Sequence, residues 1–244
     1  MDNRVTYEGG DLEAMANSLG YVSWILDKFR PYLAGRTLEV GAGIGTISTY
    51  LFEEVSSLDL IEPSFSLVEK LNRRFMNNEL VTVIPVTLEK YLADSEREIY
   101  NAVVMVNVLE HIEDDNGALR MLRDLIVPGG CLLLYVPALP FLYSKFDKSV
   151  GHYRRYTRSN LTRQLEAAGY TIKYVSYFDF LGIFPWYIVN KLGGKTSLNP
   201  NSIKLYDKIG VPLARISESI IPPPIGKNII LIAQKPLKNV SDSE

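Results

Sequence analysis

The chain has 244 residues, 47% hydrophobic and 22% charged, with a net charge of −2 and a pI near 5.8. These values fit one well-cored domain with a moderate insertion, and they leave no overall basic footprint of the kind that nucleic-acid binding uses. A single cysteine, Cys131, excludes an intrachain disulfide and a cysteine-built metal site, and it suits a reducing, cytoplasmic setting.

Met1-Asp2-Asn3-Arg4 lacks the apolar core of a signal peptide. No apolar run reaches the roughly 18–20 residues that span a bilayer. Residues 11–34 carry Leu12, Met15, Leu19, Val22, Ile25, Leu26 and Phe29 at helical steps, with Gly20 as an interruption and Pro31 near the end. A strand is expected over 36–40, a helix over 45–53, and a strand over 55–61 that ends at Glu62-Pro63-Ser64. Ser64 is placed to cap a helix over 65–76. Strands follow at 81–84 and 102–106, the second continuously apolar as buried parallel strands are.

A helix over 114–125 is expected to stop at Pro128-Gly129-Gly130, before a fifth strand over 131–136 that holds Cys131 as a buried small hydrophobe. Thr157 or Ser159 caps a helix over 158–168, Gly169 stops it, and residues 170–178 read as a sixth strand. An aromatic helix near 180–192, a Gly-Gly turn and a helix near 202–219 then break the rhythm before a last strand over 227–233. The polar tail 237–244 reads as frayed. The alternation predicts an open α/β sheet with helices on both faces.

The most informative stretch is Glu39-Val40-Gly41-Ala42-Gly43-Ile44-Gly45-Thr46. Glycines let a backbone turn sharply and lie against a ligand, and the turn is expected to offer backbone N–H groups of a helix start. A dinucleotide fingerprint wants a small third residue for helix packing, whereas Thr46 stands at the next place and Glu39 precedes the glycines. A carboxylate there suits a ligand that carries an ammonium group. Glu39, Gly41, Gly43 and Gly45 resemble, position for position, the E/D-x-G-x-G-x-G motif of class I S-adenosylmethionine-dependent methyltransferases.

The resemblance covers residues 36–170 well and the final strand more loosely. It implies a doubly wound, seven-stranded, mostly parallel Rossmann-like sheet with an antiparallel last strand. The domain reading is an N-terminal helical cap over 1–35, a binding core over 36–178, a helical insertion or lid over 179–225, the last strand over 226–236, and the tail. S-adenosyl-L-methionine is the implied methyl donor and S-adenosyl-L-homocysteine its product, with no metal.

The resemblance places Ala42 and Thr46 beside the glycines on the cofactor. It gives Glu62 the ribose hydroxyls, a role that acids at this place also have in doubly wound sheets, with Pro63 and Ser64 on the same edge. Thr87 stands where relatives carry an acid for the adenine, so Leu88 main chain or Glu89 is the alternative contact. Asn107, in the N-x-L-E-H-I segment Asn107–Ile112, would face the cofactor.

Histidine suits proton removal near neutral pH, and the chain holds two, His111 and His152. Both are candidate bases. His152 opens a segment similar to the G-H-x-R-R-Y of one branch of these enzymes, with Tyr153, Arg154, Arg155 and Tyr156. The arginines either hold an anionic acceptor group or pin the loop through Asp147 and Glu166. Tyr143, Phe180 and Trp186 belong to an aromatic cluster over the site, suited to a sulfonium cation or a flat or greasy acceptor.

The resulting expectation is methyl transfer to an O, N or C atom of a small metabolite or lipid-like acceptor. The partners are that acceptor and, through the apolar run 180–189, a membrane surface or lipid. The chain is a monomer or a homodimer, and no nucleic acid is expected. An NAD(P)-type oxidoreductase and a non-catalytic binding protein on the same fold are the alternatives.

Overall fold

The computed structural model describes Leu12, Ala16, residues 18–94 and residues 96–238. The remainder of the expected N-terminal helix and of the tail lies outside the described residues. Seven strands form one sheet in the order β3-β2-β1-β4-β5-β7-β6. They are β1 Arg36–Val40, β2 Ser57–Ile61, β3 Val81–Ile84, β4 Tyr100–Val106, β5 Ile126–Pro137, β6 Thr171–Phe178 and β7 Asn228–Gln234. β1 to β5 are parallel, and β7 runs antiparallel between β5 and β6. The chain therefore has the mixed sheet and the antiparallel last strand that the sequence implies.

Alternate residues of β4 explain the two cores. Val103 and Met105 point to one face, with Leu119, Leu122 and Leu161, while Ala102 and Val104 point to the other, with Val22, Ile25 and Phe29. The first face is covered by helices α5 (Asp115–Leu125) and α7 (Arg158–Ala167), the second by α1 (Leu19–Phe29) and α3 (Phe65–Arg74). Asp114 caps α5 through Gly117 N, and Thr157 caps α7 through Asn160 N.

Four local expectations are corrected. The helix after the glycines is one short turn, α2 (Ser48–Leu51), because residues 43–47 are spent on turns. Ser64 occupies the N-cap position of α3, but its side chain caps nothing: its hydroxyl meets the Ser66 hydroxyl. Pro128-Gly129-Gly130 does not precede β5 but lies inside it, where the pairing with β4 jumps from Ile126 to Cys131. Such an irregularity is where a strand tolerates Pro and Gly.

In the N-terminal helix the expected interruption at Gly20 is missing: α1 runs through Gly20 and gives way, near the expected end, to a 3-10 turn over Arg30–Tyr32 that holds Pro31. Cys131 is buried, as expected, and burial pushes its thiol pKa up.

The insertion between β6 and β7 contains α8 (Ile183–Trp186), a π turn over Tyr187–Leu192, α9 (Pro200–Leu205), a second π turn over Tyr206–Gly210, and α10 (Val211–Ile220). Several side-chain bonds anchor it, among them the following. Asp207 accepts from Gly20 N and Tyr21 N at the start of α1. Glu218 accepts from Asp179 N and Phe180 N, and Trp186 Nε1 donates to Leu142 O. Among the described residues no helix is long and apolar enough to cross a membrane.

Candidate functional site

The strand order reverses between β1 and β4, and ligands in open α/β sheets bind outside the carboxyl ends at that point. The glycine segment lies there, with Glu62 after β2 and Asn107 after β4. Gly41, Gly43 and Gly45 have φ of +71°, +57° and +81°, a region costly for other residues. A Cβ on Gly41 would sit 2.5 Å from Val108 Cγ2, and one on Gly43 would sit 3.0 Å from Leu12 Cδ2.

The N–H groups of this turn are more heavily used than its motif suggests. Gly41 N and Ala42 N donate to Ile61 O, Gly43 N to Glu62 Oε2, and Gly45 N to Ala42 O. Arg74 fixes the far side through Gly45 O and Thr49 Oγ1.

Two buried carboxylates flank the turn. Glu39 is 3% exposed and accepts from Ser48 Oγ at 2.5 Å. Burial, with a smaller push from Glu62, raises its pKa to about 8, against the Ser48 bond that lowers it. Burial likewise raises Glu62, while bonds from Ser64 N and Gly43 N oppose the rise. An approaching cation would favour the ionised form of such a carboxyl and offset the cost of burying its charge.

Ala42 is buried, and Ser64 lies beside Glu62 through its own N–H. Thr46 is half-buried and Pro63 exposed on that rim. Farther along the strand ends, Thr87 is exposed and its Oγ1 accepts from Lys90 N, which makes it a cap of α4 (Leu88–Asp94). Leu88 is buried, and Glu89 is exposed in the first turn of that helix. Asn107 has φ of +54° and donates its backbone N–H to Tyr135 O.

The candidate acceptor side is built from two loops that the sequence does not visibly connect. A 3-10 turn over Leu109–His111 brings His111 up, and α6 (Lys145–Ser149) with the loop after it brings His152. Tyr153 N donates to Glu110 O and joins the two loops. The imidazole rings meet edge to face with centroids 4.6 Å apart.

Asp147 organises this loop. Its Oδ2 accepts from Ser144 N and Oγ, while its Oδ1 lies 3.0 Å from His152 Nδ1 and 2.8 Å from Arg155 Nε. Burial would raise this carboxyl, but the bonds from His152, Arg155 and Ser144 together hold it below the usual carboxylate range. With the Nδ1 proton directed at Asp147, His152 Nε2 faces the wholly buried Glu110, 3.8 Å from Oε1.

Both arginines have partners within the protein. Arg155 is buried against Asp147, donates to Ala138 O and lies over the Trp186 ring at 4.6 Å. Arg154 pairs with Asp115 at 2.9 Å and donates to Glu113 O. Glu166 is not the partner in either pair. Tyr156 is buried, with its hydroxyl on Asp115 and Leu109 O. Tyr143 donates to His152 O at 2.6 Å, and Tyr153 is exposed. Phe180 packs edge to face on Phe184, and Trp186 on Phe146.

The sequence offered Asp147 only as an arginine partner, which it is for Arg155, and marked neither its bond to His152 nor Glu110 and Ser48. The available signal for Asp147 was the capping-box spacing from Ser144. Glu110 was quoted only as part of a motif.

A family model described as a methyltransferase domain matches residues 20–175, more than half of the chain. No curated protein matches. Among solved structures, an S-adenosylmethionine-dependent methyltransferase from Mesorhizobium loti superposes with TM-score 0.64 at 13% identity, covering 90% of this chain and 100% of that one.

A phosphoethanolamine N-methyltransferase from Haemonchus contortus gives TM-score 0.62 at 16% identity, covering 93% of this chain but 58% of that one. The [4+2]-cyclase SpnF gives 0.58 at 17%, covering 89% and 81%. At such identities the structures speak for the fold, whereas the family match bears on the chain itself. Both agree with the sheet order, and the chain belongs to the methyltransferase domain family, of the class I S-adenosylmethionine-dependent type.

Proposed function

We propose that this chain transfers a methyl group from S-adenosylmethionine to a small, lipid-like acceptor. The observation that carries the donor half is the glycine turn held between two buried carboxylates, Glu39 and Glu62. The cofactor's ammonium group suits Glu39, whose burial leaves it without charge in its absence. Its ribose hydroxyls suit Glu62, because each carboxylate oxygen that accepts a backbone N–H retains a lone pair for a second donor. Ala42, Thr46, Pro63, Ser64, Leu88 main chain and Asn107 complete the edge in this reading, while Thr87, already capping a helix, and the exposed Glu89 contribute less.

When bound, S-adenosylmethionine supplies a methyl group already activated on a sulfonium centre. The protein's task is then to align the acceptor, exclude water and accommodate the acceptor's proton. His111 and His152 lie together where that proton would leave, and Asp147 fixes the His152 ring. Tyr143 and Trp186 wall the loop, and Arg155 keeps it rigid rather than meeting the acceptor.

The lipid-like nature of the acceptor rests on the insertion. Phe184, Ile188, Leu192, Leu213, Ile216 and Ile220 are each more than half exposed. Residues 180–225 also carry five basic side chains against two acidic ones, in a chain that is acidic overall. Exposed apolar residues among cations suit an anionic membrane surface. An assay offering lipid and water-soluble acceptors with labelled donor tests the reading: label recovered in lipid supports it, and label only in water-soluble product overturns its acceptor half. Fold alone does not decide the chemistry, as the cyclase on the same fold illustrates.

A further inference from the structure

We propose that Glu110, His111 and His152 form a divalent transition-metal site where the loop after β4 meets the loop after α6. One ligand atom from each lies within 4.8 Å of the others. Glu110 is wholly buried, and the His152 side chain is 9% exposed. Imidazole Nε2 and carboxylate are both electron-pair donors. Donors that converge in a buried place are stabilised by a cation between them.

The surrounding bonds prepare His152 as a ligand. A metal-bound histidine usually gives its second ring N–H to a carboxylate, which fixes the tautomer and aims the other nitrogen. Asp147 is that carboxylate: its Oδ1 lies 3.0 Å from His152 Nδ1, and Arg155 Nε and Ser144 hold it in place. Tyr153 N, bonded to Glu110 O, locks the two loops that carry the ligands to one another. Metal bonds of about 2.0–2.2 Å would draw the three ligand atoms to roughly 3 Å apart, a movement assigned to His111 on its half-exposed turn, since Asp147 holds the His152 ring.

The donor set selects the metal class. Two imidazoles with one carboxylate suit Zn²⁺, Co²⁺, Mn²⁺ or Fe²⁺, whereas Mg²⁺ and Ca²⁺ prefer all-oxygen sites. Three protein ligands leave positions for an outside oxygen or nitrogen. The site's use in catalysis, unlike its affinity for metal, rests on the methyl-transfer reading: an acceptor hydroxyl bound there would lose its proton to water more readily. The acceptors it suits are therefore those that present such an oxygen.

The test is titration of chelator-treated full-length protein with Co²⁺, followed by its visible absorption and by competition with Zn²⁺. One equivalent is expected to bind with a saturating spectrum. His111→Ala and His152→Ala are expected to lose at least ten-fold in affinity, and Asp147→Asn to lose about ten-fold. Melting curves and S-adenosylhomocysteine binding of each variant report whether fold and cofactor cradle survive. His111→Ala, at a half-exposed position, is the variant that decides if the others fail to fold. Absence of stoichiometric binding by the wild type, or unchanged binding by a folded His111→Ala, overturns the site: the cluster is then held by protons alone. Cofactor binding that persists after chelation leaves the donor-side reading intact whichever way the metal result falls.

Discussion

Glu62 Oε2 accepts the backbone N–H of Gly43 at 2.9 Å, across 19 positions of sequence. The proposed ribose-binding acid and the middle glycine of the cradle are thus one unit. Substituting Glu62→Gln turns one of the two acceptor oxygens into a donor, so that either Gly43 N or Ser64 N loses its acceptor. A loss of about 2 kcal/mol in cofactor binding is expected from one charge-assisted bond, roughly thirty-fold in Kd. Isothermal calorimetry with S-adenosylhomocysteine measures it, and a change under three-fold would remove Glu62 from the site.

Glu39 is expected to make cofactor binding depend on pH. Its folded pKa is raised to about 8 from 4.5. A group raised on folding stabilises the protein below its unfolded pKa, and that contribution is lost as pH rises through the folded value. The ligand-free protein is therefore expected to lose stability between about pH 4.5 and 8 through this group. Glu39→Gln removes the loss and should raise Tm at pH 7.5.

An ammonium ligand reverses the preference and expels the proton. Cofactor binding at pH 7 should release a proton, seen as a dependence of calorimetric enthalpy on buffer ionisation. Glu39→Gln should abolish that dependence and weaken binding. Identical enthalpies in all buffers for the wild type would contradict the role.

Asp147→Asn should destabilise the fold by about 3 kcal/mol, because it leaves the buried Arg155 guanidinium without its counter-charge. Denaturant unfolding checks this. Arg155→Met with Asp147→Asn should recover much of the loss, since removing both members of a buried pair costs less than removing one. A double variant as unstable as the sum of the singles would show that the pair does not act as a pair.

The insertion's exposed apolar residues predict vesicle binding. Ile188→Ser with Leu192→Ser should reduce co-sedimentation with anionic vesicles by about ten-fold while leaving Tm within a few degrees, as both residues are more than 60% exposed. Wild-type protein that stays in the supernatant at low salt would sink the membrane contact.

The sheet was legible because buried parallel strands read as apolar runs, as Ala102–Val106 does, and because glycines with positive φ leave a visible spacing. The candidate donor site was legible for the same reason: Glu39, the glycines and Glu62 all sit at strand ends that the pattern marks. The acceptor side was harder to read. Its key contact, Asp147 to His152, depends on α6, a five-residue helix too short to show periodicity. Likewise, nothing local distinguishes an arginine that holds a substrate from Arg155, whose partner is eight residues away and whose packing partner is Trp186 in the insertion. The strand that begins before Pro128 was hidden because Pro and Gly normally end an element, and only the jump in pairing with β4 accommodates them.

The turn between Glu39 and Glu62 is proposed to hold the methyl donor. The most direct measurement is calorimetric titration of the purified chain with S-adenosylhomocysteine, beside Gly43→Asp, whose side chain would enter a backbone region with φ of +57° and approach Leu12. The account predicts one site of micromolar-scale affinity in the wild type and at least a hundred-fold loss in a folded Gly43→Asp. Equal binding by both proteins, or none by the wild type, would contradict it.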